Sequence, residues 1–152
     1  MDKKTKKNTD AKVNKEEYDN FIKNLELLNL YLSECRFKRA DSELDDHSIE
    51  VTASLELIKN EYKQLKDNTF EVKHSVNFIL SFNKDSKKIK LFELKAVFML
   101  IYKNKIKITD EIFDLFSKKN IPLNIMPYLR EFVTNSMYRT GLPPILLPVT
   151  KI

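Results

Sequence analysis

The sequence predicts an α+β domain in which a four-stranded antiparallel sheet is followed by two helices packed on one face. Three observations lead to this prediction. Four successive stretches alternate apolar and polar residues, the period of a strand with one buried face. From residue 109 onward the apolar residues instead recur every three or four positions, as in amphipathic helices. Turn-forming Asn, Asp and Ser residues separate the stretches.

The first strand is predicted to contain a bulge. Apolar residues alternate from Leu28 to Leu32, but after Glu34 they move to the opposite parity, at Cys35 and Phe37. One extra residue in a strand shifts every following side chain to the other face. We expect Cys35 to behave as a small buried apolar residue.

Three further strands are predicted over residues 49–57, 70–82 and 92–102. Residues 83–86 form a polar turn that is predicted to join the last two strands as a hairpin. In the last strand, residues 97–101 are apolar at both parities. We therefore expect one face of this part to be covered by the domain core and the other by a partner.

Local signals define the two helices. Thr109 is the predicted N-cap of the first helix, and Asn120 its end. Pro122 is placed at or near the first position of the second helix, where the backbone N–H that proline lacks would have no partner within the helix. Gly141 is predicted to follow that helix in the left-handed conformation. The proline-bearing end, residues 142–149, is predicted to be extended.

The chain is predicted to form a single domain over residues 17–152, preceded by a disordered basic tail over residues 1–16 that holds six lysines. One or two helical turns are expected over residues 17–25. A single cysteine cannot form an internal disulfide, and no secretory signal or membrane-spanning stretch is visible. These features predict a cytoplasmic protein without membrane insertion.

No pattern in the sequence indicates catalysis. The single glycine excludes Gly-rich phosphate loops, which need several glycines. His47 and His74 do not match the spacing of a zinc site, and Cys35 lacks the surroundings of a nucleophile. His74 is expected to be a half-buried strand residue or a polar group at an edge. We predict no catalytic residue, no metal site, no cofactor and no enzyme activity.

The last third of the chain carries a distinctive motif. It reads Pro127-Tyr128-Leu129-Arg130-Glu131, then a helical stretch, then Gly141-Leu142-Pro143-Pro144-Ile145 and Leu147-Pro148-Val149. This pattern resembles the SecB family of protein-export chaperones, which shows Pro-Tyr-x-Arg-Glu, a helical stretch, Gly-Phe-Pro-Pro-Leu, and a leucine before Pro-Val. The motif covers residues 122–149, and the layout of strands and helices resembles the family over residues 20–150.

The resemblance implies an ATP-independent holdase that binds unfolded polypeptides or preproteins for export and assembles as a homotetramer, a dimer of dimers. It also implies an apolar groove for the client chain. The candidate peptide-binding residues are Ile112, Phe116, Leu129, Phe132, Met137, Leu142 and Ile145. Each of them could serve the core or an oligomer interface instead.

Two departures from the family count against a contact with the translocase motor SecA, which the family meets with an acidic sheet face. The outward strand positions here mix glutamates with lysines, and Leu142 replaces the phenylalanine before Pro-Pro. The alternative hypothesis is therefore a SecB-like chaperone dedicated to one client, such as an antitoxin of a toxin–antitoxin system. A nucleic-acid-binding module driven by the lysine-rich tail is a further alternative, but no aromatic and basic stacking surface supports it.

Overall fold

A computed structural model of the chain describes residues 13–40, 50–145 and 147. Along these residues lie, in order, α1 (Lys15–Lys23), β1 (Glu26–Arg39), β2 (Val51–Gln64), β3 (Thr69–Lys84), β4 (Lys87–Lys103), α2 (Asp110–Lys119) and α3 (Ile121–Arg139). The strands form one antiparallel sheet in the order β1-β4-β3-β2. The predicted α+β architecture is confirmed, and β1 and β2 are the two edges of the sheet.

Helix α1 precedes the sheet and begins and ends two residues before the helical turns predicted over residues 17–25. Its N-cap is Asn14, whose side chain accepts a hydrogen bond from the backbone N–H of Glu16. Residues 1–12 of the predicted disordered tail lie outside the described residues, and so do residues 41–49 between β1 and β2.

Strand β1 contains the predicted bulge and a second one. Its register against β4 shifts between Leu32 and Glu34, where the sequence changes parity. Another shift, between Leu27 and Asn29, was not predicted. It places Leu27 rather than Leu28 on the same face as Leu32, because an inserted residue exchanges the two faces of a strand.

The strands β3 and β4 form the predicted hairpin, and both extend further than the sequence pattern indicated. Its two-residue turn consists of Asp85 and Ser86, with φ values of 49° and 63°. Two consecutive left-handed residues give the turn a twist that matches the right-handed twist of the strands. The hairpin projects past both edge strands, since β1 ends opposite Phe92 and β2 begins opposite Phe82.

All four predicted helix boundary signals are confirmed. The hydroxyl of Thr109 accepts a hydrogen bond from the N–H of Ile112 at 3.3 Å, and α2 ends at Asn120. Pro122 lies in the first turn of α3. Gly141 follows that helix with a φ of 72°, which closes its last turn with left-handed backbone. The described part of the proline-bearing end forms neither helix nor strand.

The centre of the core is a cluster of aromatic rings between the sheet and the helices. Phe116 of α2 contacts Tyr102 of β4 and Phe70 of β3, with ring centroids 5.2 and 6.2 Å apart. Phe21 of α1 reaches the same cluster, 5.9 Å from Phe116. Tilted and edge-to-face pairs of this kind contribute roughly 0.5–1.5 kcal/mol each beyond the burial of their area. This cluster joins α1 and α2 to the two central strands.

An apolar groove beside an edge strand as the candidate functional site

Five of the seven residues predicted to bind peptide lie inside the core. The side chains at these positions are at most 3 % exposed: Ile112, Phe116, Leu129, Met137 and Leu142. They belong to one cluster of packed apolar residues shared by the sheet and the helices. A client chain could reach them only if the helices moved. Peptide contact by these five residues therefore stays a prediction.

The other two predicted residues retain some exposed surface. Phe132 and Ile145 are half-buried and pack against the edge of the core. The ring of Phe132 meets that of Phe98 edge to face, at 6.0 Å and 90°. Phe132 is thus fixed over β4, and a client could contact only the part of the ring that faces away from the sheet.

On the helix-facing side of the sheet, the exposed apolar side chains lie on the edge strands. On β2, Leu55 pairs with Phe78 and Leu57 pairs with Val76, so both point to the helix-covered side of the sheet. Nevertheless they are 36 % and 55 % exposed, while Phe78 and Val76 are buried. The helices cover the two central strands and leave the matching face of β2 open.

This open face continues into a groove between β2 and α2, with a volume of about 610 Å³. The groove is lined by Leu57, Ile58, Lys59 and Asn60 of β2, by Asp110, Phe113, Asp114, Ser117 and Lys118 of α2, and by Pro122 of α3. Ile58 sits at a register shift between Leu57 and Lys59 and is 56 % exposed. Because of this shift, two consecutive apolar residues line the groove, and Ile58 at the edge of the sheet also lines a depression on the opposite face.

One end of the groove is closed by a contact between β2 and the start of α2. The hydroxyl of Tyr62 donates a hydrogen bond to the carboxylate of Asp110, and its ring lies 4.5 Å from that of Phe113. The hydrogen bond to the Asp110 carboxylate, together with burial, raises the pKa of Tyr62 to about 12. The hydroxyl therefore remains a donor at neutral pH, and the contact holds α2 at a constant distance from β2.

The rim of the groove carries charges that neutralise one another. On the α2 side, Lys118 pairs with Asp114 at 2.7 Å, and at the β2 edge Lys59 pairs at 2.6 Å with Glu61, which the register places on the outer face of the sheet. All four side chains are solvent-exposed, so these pairs contribute little to stability. An apolar floor between charge-balanced rims can accept apolar segments without selecting a client by the sign of its charge.

His74 of β3 contacts Asn60, a residue that lines the groove. Its Nδ1 lies 2.6 Å from the side-chain oxygen of Asn60 on β2, and the residue is 4 % exposed, more buried than the sequence suggested. Burial lowers the pKa of His74 to about 4, so the ring is neutral at physiological pH. Among the described residues, no group of His, Cys, Asp and Glu side chains could hold a metal ion.

Cys35 is exposed, and the prediction that it is buried was wrong. It pairs with Ala96 and faces the helix side, but β1 is an edge strand that the helices do not cover. The same applies to Leu32 and Phe37, which are 38 % and 47 % exposed. Phe37 is supported on one face by the ring of Phe92, 6.2 Å away. A second apolar strip thus runs along the edge opposite the groove.

The outer face of β4 is less covered than its helix-facing side. Val97 and Ile101 are half-buried and Met99 is 9 % exposed. Coverage of this face by a partner stays a prediction. None of the helices in the described part of the chain is long and apolar enough to cross a membrane.

A four-stranded antiparallel sheet in this order, followed by two helices on one face, is the SecB-like fold. The chain is similar to a SecB-like chaperone from Mycobacterium tuberculosis that was solved in complex with a ChAD peptide from an antitoxin. The two share a TM-score of 0.74 and 14 % sequence identity, and the match covers 88 % of this chain and 96 % of that one. The resemblance in fold that the sequence motif predicted is confirmed.

A second solved structure is more distantly similar. It is a protein of unknown function from Streptococcus agalactiae with a TM-score of 0.45 and 8 % identity, over 82 % of this chain and 97 % of that one. We draw no conclusion from it. No protein-family model matches the chain, and no curated protein matches it.

The sequence contains two signals for the groove that the predictions above did not use. Leu57 and Ile58 are adjacent apolar residues in a strand that otherwise alternates, which indicates a bulge. Phe113 lies one position after Ile112, on the flank of the helix stripe that faces β2. The exposure of these residues could not be inferred, because it depends on where α2 lies across the sheet.

Proposed function

We propose that the protein is an ATP-independent holdase chaperone that binds unfolded polypeptides in the groove between β2 and α2. The observation that carries this proposal is the exposure of Leu57 and Ile58 of β2 in one groove with Phe113 of α2. The SecB-like fold supports it, since the similar chaperone holds a peptide.

Binding in this groove requires no chemical step. An extended client segment lies along β2 with some of its apolar side chains on the floor formed by Leu57, Ile58 and Phe113. Each such contact is weak, and further contacts by the same client chain add through effective concentration. Neither nucleotide nor metal contributes to holding, and the client is released when its own folding or a downstream partner competes.

The seven residues of the sequence prediction take a secondary place in this proposal. Phe132 and Ile145 extend the apolar surface where they are exposed, and the five buried residues set the position of α2 and α3 against the sheet. Assembly as a homotetramer, a dimer of dimers, would place several grooves within reach of one client chain. We also propose that the protein acts in the cytoplasm on preproteins for export.

A second candidate function is favoured by one observation. The similar chaperone from Mycobacterium tuberculosis was solved with a peptide from an antitoxin. A chaperone dedicated to one such client would use the same groove and would have no need of SecA, for which the mixed charges of the outer sheet face offer no acidic surface. The two functions differ in the range of clients and not in the mechanism of holding.

An aggregation assay tests the holdase function. An unfolded, reduced substrate is diluted from denaturant into buffer with increasing amounts of this protein and without nucleotide, and light scattering is followed. Suppressed scattering is the expected result, and unchanged scattering at several-fold excess of the protein would reject the proposal. Suppression for several unrelated substrates indicates a general chaperone, whereas suppression only for an antitoxin segment indicates a dedicated one.

A further inference from the structure

The outer face of the sheet, opposite the helices, carries an exposed group of cationic side chains near the β3–β4 hairpin. We call it the cationic patch, and it consists of Arg36 and Lys38 of β1 and Lys88, Lys90 and Lys95 of β4. Strand pairing places them on one face, since Arg36 lies opposite Lys95 and Lys38 lies opposite Glu93. The groove between β2 and α2 is on the other side of the sheet.

Among the described residues, the patch is only partly neutralised. Glu93 is the carboxylate at its centre, 3.6 Å from Lys90 and 3.9 Å from Lys95. Glu34 lies at its margin, in a shallow depression that it shares with Arg36 and Lys95. Within the described part of the chain, the other three cations of the patch make no ion pair. Five cations therefore face two carboxylates.

Folding does not explain this arrangement. Arg36 and Lys95 are direct cross-strand neighbours, and like charges in that position destabilise a sheet. Both side chains are exposed, so they do not contribute to the core either. An anion bound over the pair would relieve the repulsion. The charges of the patch are thus better matched to a bound anionic partner than to the other described residues.

We propose that the cationic patch docks an acidic segment of a partner polypeptide. Lys88 and Lys90 are two residues apart on one strand, so their side chains are about 6.6–6.8 Å apart on the same face. Carboxylates at alternate positions of an extended peptide have the same spacing. Val97 lines the adjoining depression and adds apolar surface for a neighbouring side chain of the partner.

Two features favour a polypeptide over a nucleic acid. Proteins that hold single strands stack bases on aromatic side chains, and no aromatic residue belongs to the patch. Glu34 and Glu93 stand between the cations and would repel a continuous row of phosphates, whereas a peptide can place neutral residues beside them. The partner that fits this patch is a polypeptide with spaced carboxylates. An acidic sheet face would instead suit a basic partner.

Fluorescence anisotropy with the full chain tests this proposal. The probe is a labelled peptide in which Glu and Ser alternate, which has no apolar side chain for the groove. Arg36→Glu combined with Lys95→Glu reverses the charge at the crowded pair. The matched control is Lys63→Glu combined with Lys66→Glu, two exposed lysines outside the patch with the same change in net charge.

We expect the unmodified protein to bind the Glu-Ser peptide, with affinity that falls as salt rises from about 20 to about 300 mM. The patch variant should bind at least about tenfold more weakly, and the control should bind as the unmodified protein does. Suppression of substrate aggregation should be the same in all three proteins, because the groove is untouched. This result separates the docking proposal from the holdase proposal.

Three outcomes would overturn the docking proposal. The first is that the unmodified protein fails to bind the peptide at low salt. The second is equal weakening in the patch variant and the control, which would show a response to net charge alone. The third is tighter binding of single-stranded DNA than of the peptide, abolished by the patch variant, which would assign the patch to nucleic acid.

Discussion

Removal of the apolar floor of the groove is the sharpest test of the holdase proposal. The double variant Leu57→Thr, Ile58→Thr keeps β-branched side chains that suit a strand and removes most of the apolar surface. Both residues are more than half exposed in the free chain, at 55 % and 56 %. The exposed surface of these two side chains is available to a client, and only their buried surface contributes to the stability of the fold.

The expected loss of client affinity follows from these fractions. Complete burial of a leucine or isoleucine side chain contributes about 1.5–3 kcal/mol. If a client covers the remaining half of each, the two together contribute about 2 kcal/mol of binding free energy, or roughly 30-fold in Kd. The free energy of unfolding should fall by a similar amount of about 2 kcal/mol, from the halves already buried.

Affinity is best measured by fluorescence anisotropy of a labelled, permanently unfolded substrate, and stability by urea denaturation followed by circular dichroism. The matched control is Leu28→Thr, Leu65→Thr, which removes exposed leucines at 47 % and 36 % exposure outside the groove. A folded groove variant that binds its client as tightly as the control would refute the assignment of the groove. Equal loss in both variants would indicate non-specific adhesion to any apolar surface.

Phe116→Ala should lower the free energy of unfolding by about 3–5 kcal/mol in urea denaturation, because the ring is fully buried in the aromatic cluster; a loss below about 1 kcal/mol would show that the cluster is not tightly packed. Gly141→Ala should destabilise by about 1–2 kcal/mol, since φ is +72° and the new Cβ would meet Arg39 Nη1 at 3.2 Å; an unchanged melting temperature would contradict the left-handed cap. The pKa of His74 is about 4 in the folded protein and about 6.5 in the unfolded chain. As the pH falls from about 6.5 towards 4, the unfolded chain therefore binds a proton at His74 that the folded protein does not bind, and the folded protein loses stability. His74→Phe should therefore lose less stability between pH 7 and pH 4.5 than the unmodified protein in parallel urea titrations, and identical losses would show that His74 does not titrate differently on folding.

Sequence reasoning was most accurate where the signal is local. Thr109 caps α2 through its own hydroxyl, and Gly141 adopts the left-handed conformation that other residues adopt at a cost. The change of parity after Leu32 marked a bulge because an extra residue exchanges the two faces within a few positions. Each of these features depends on residues that are close together in the chain, so the local amino-acid sequence is enough to predict it.

The assignment of the site was less accurate, because it depends on how widely the helices cover the sheet. Phe116 and Leu129 were candidates for a client surface, yet α2 and α3 bury them over β3 and β4. Cys35 and Leu57 share the parity of the core and were expected inside, yet both are exposed on edge strands. Alternation shows which face a residue occupies and does not show whether anything lies on that face.

The sequence by itself therefore determined the order of the strands and helices, the boundary signals of α2 and α3, the hairpin turn and the SecB-like motif. The tertiary structure alone decided that β1 and β2 are the edges, and with them which apolar residues remain exposed. The physical reason is the range of the interactions. Caps, turns and bulges are settled within a few residues, whereas strand order and helix coverage join residues far apart in the chain, and two helices cover only part of a four-stranded sheet.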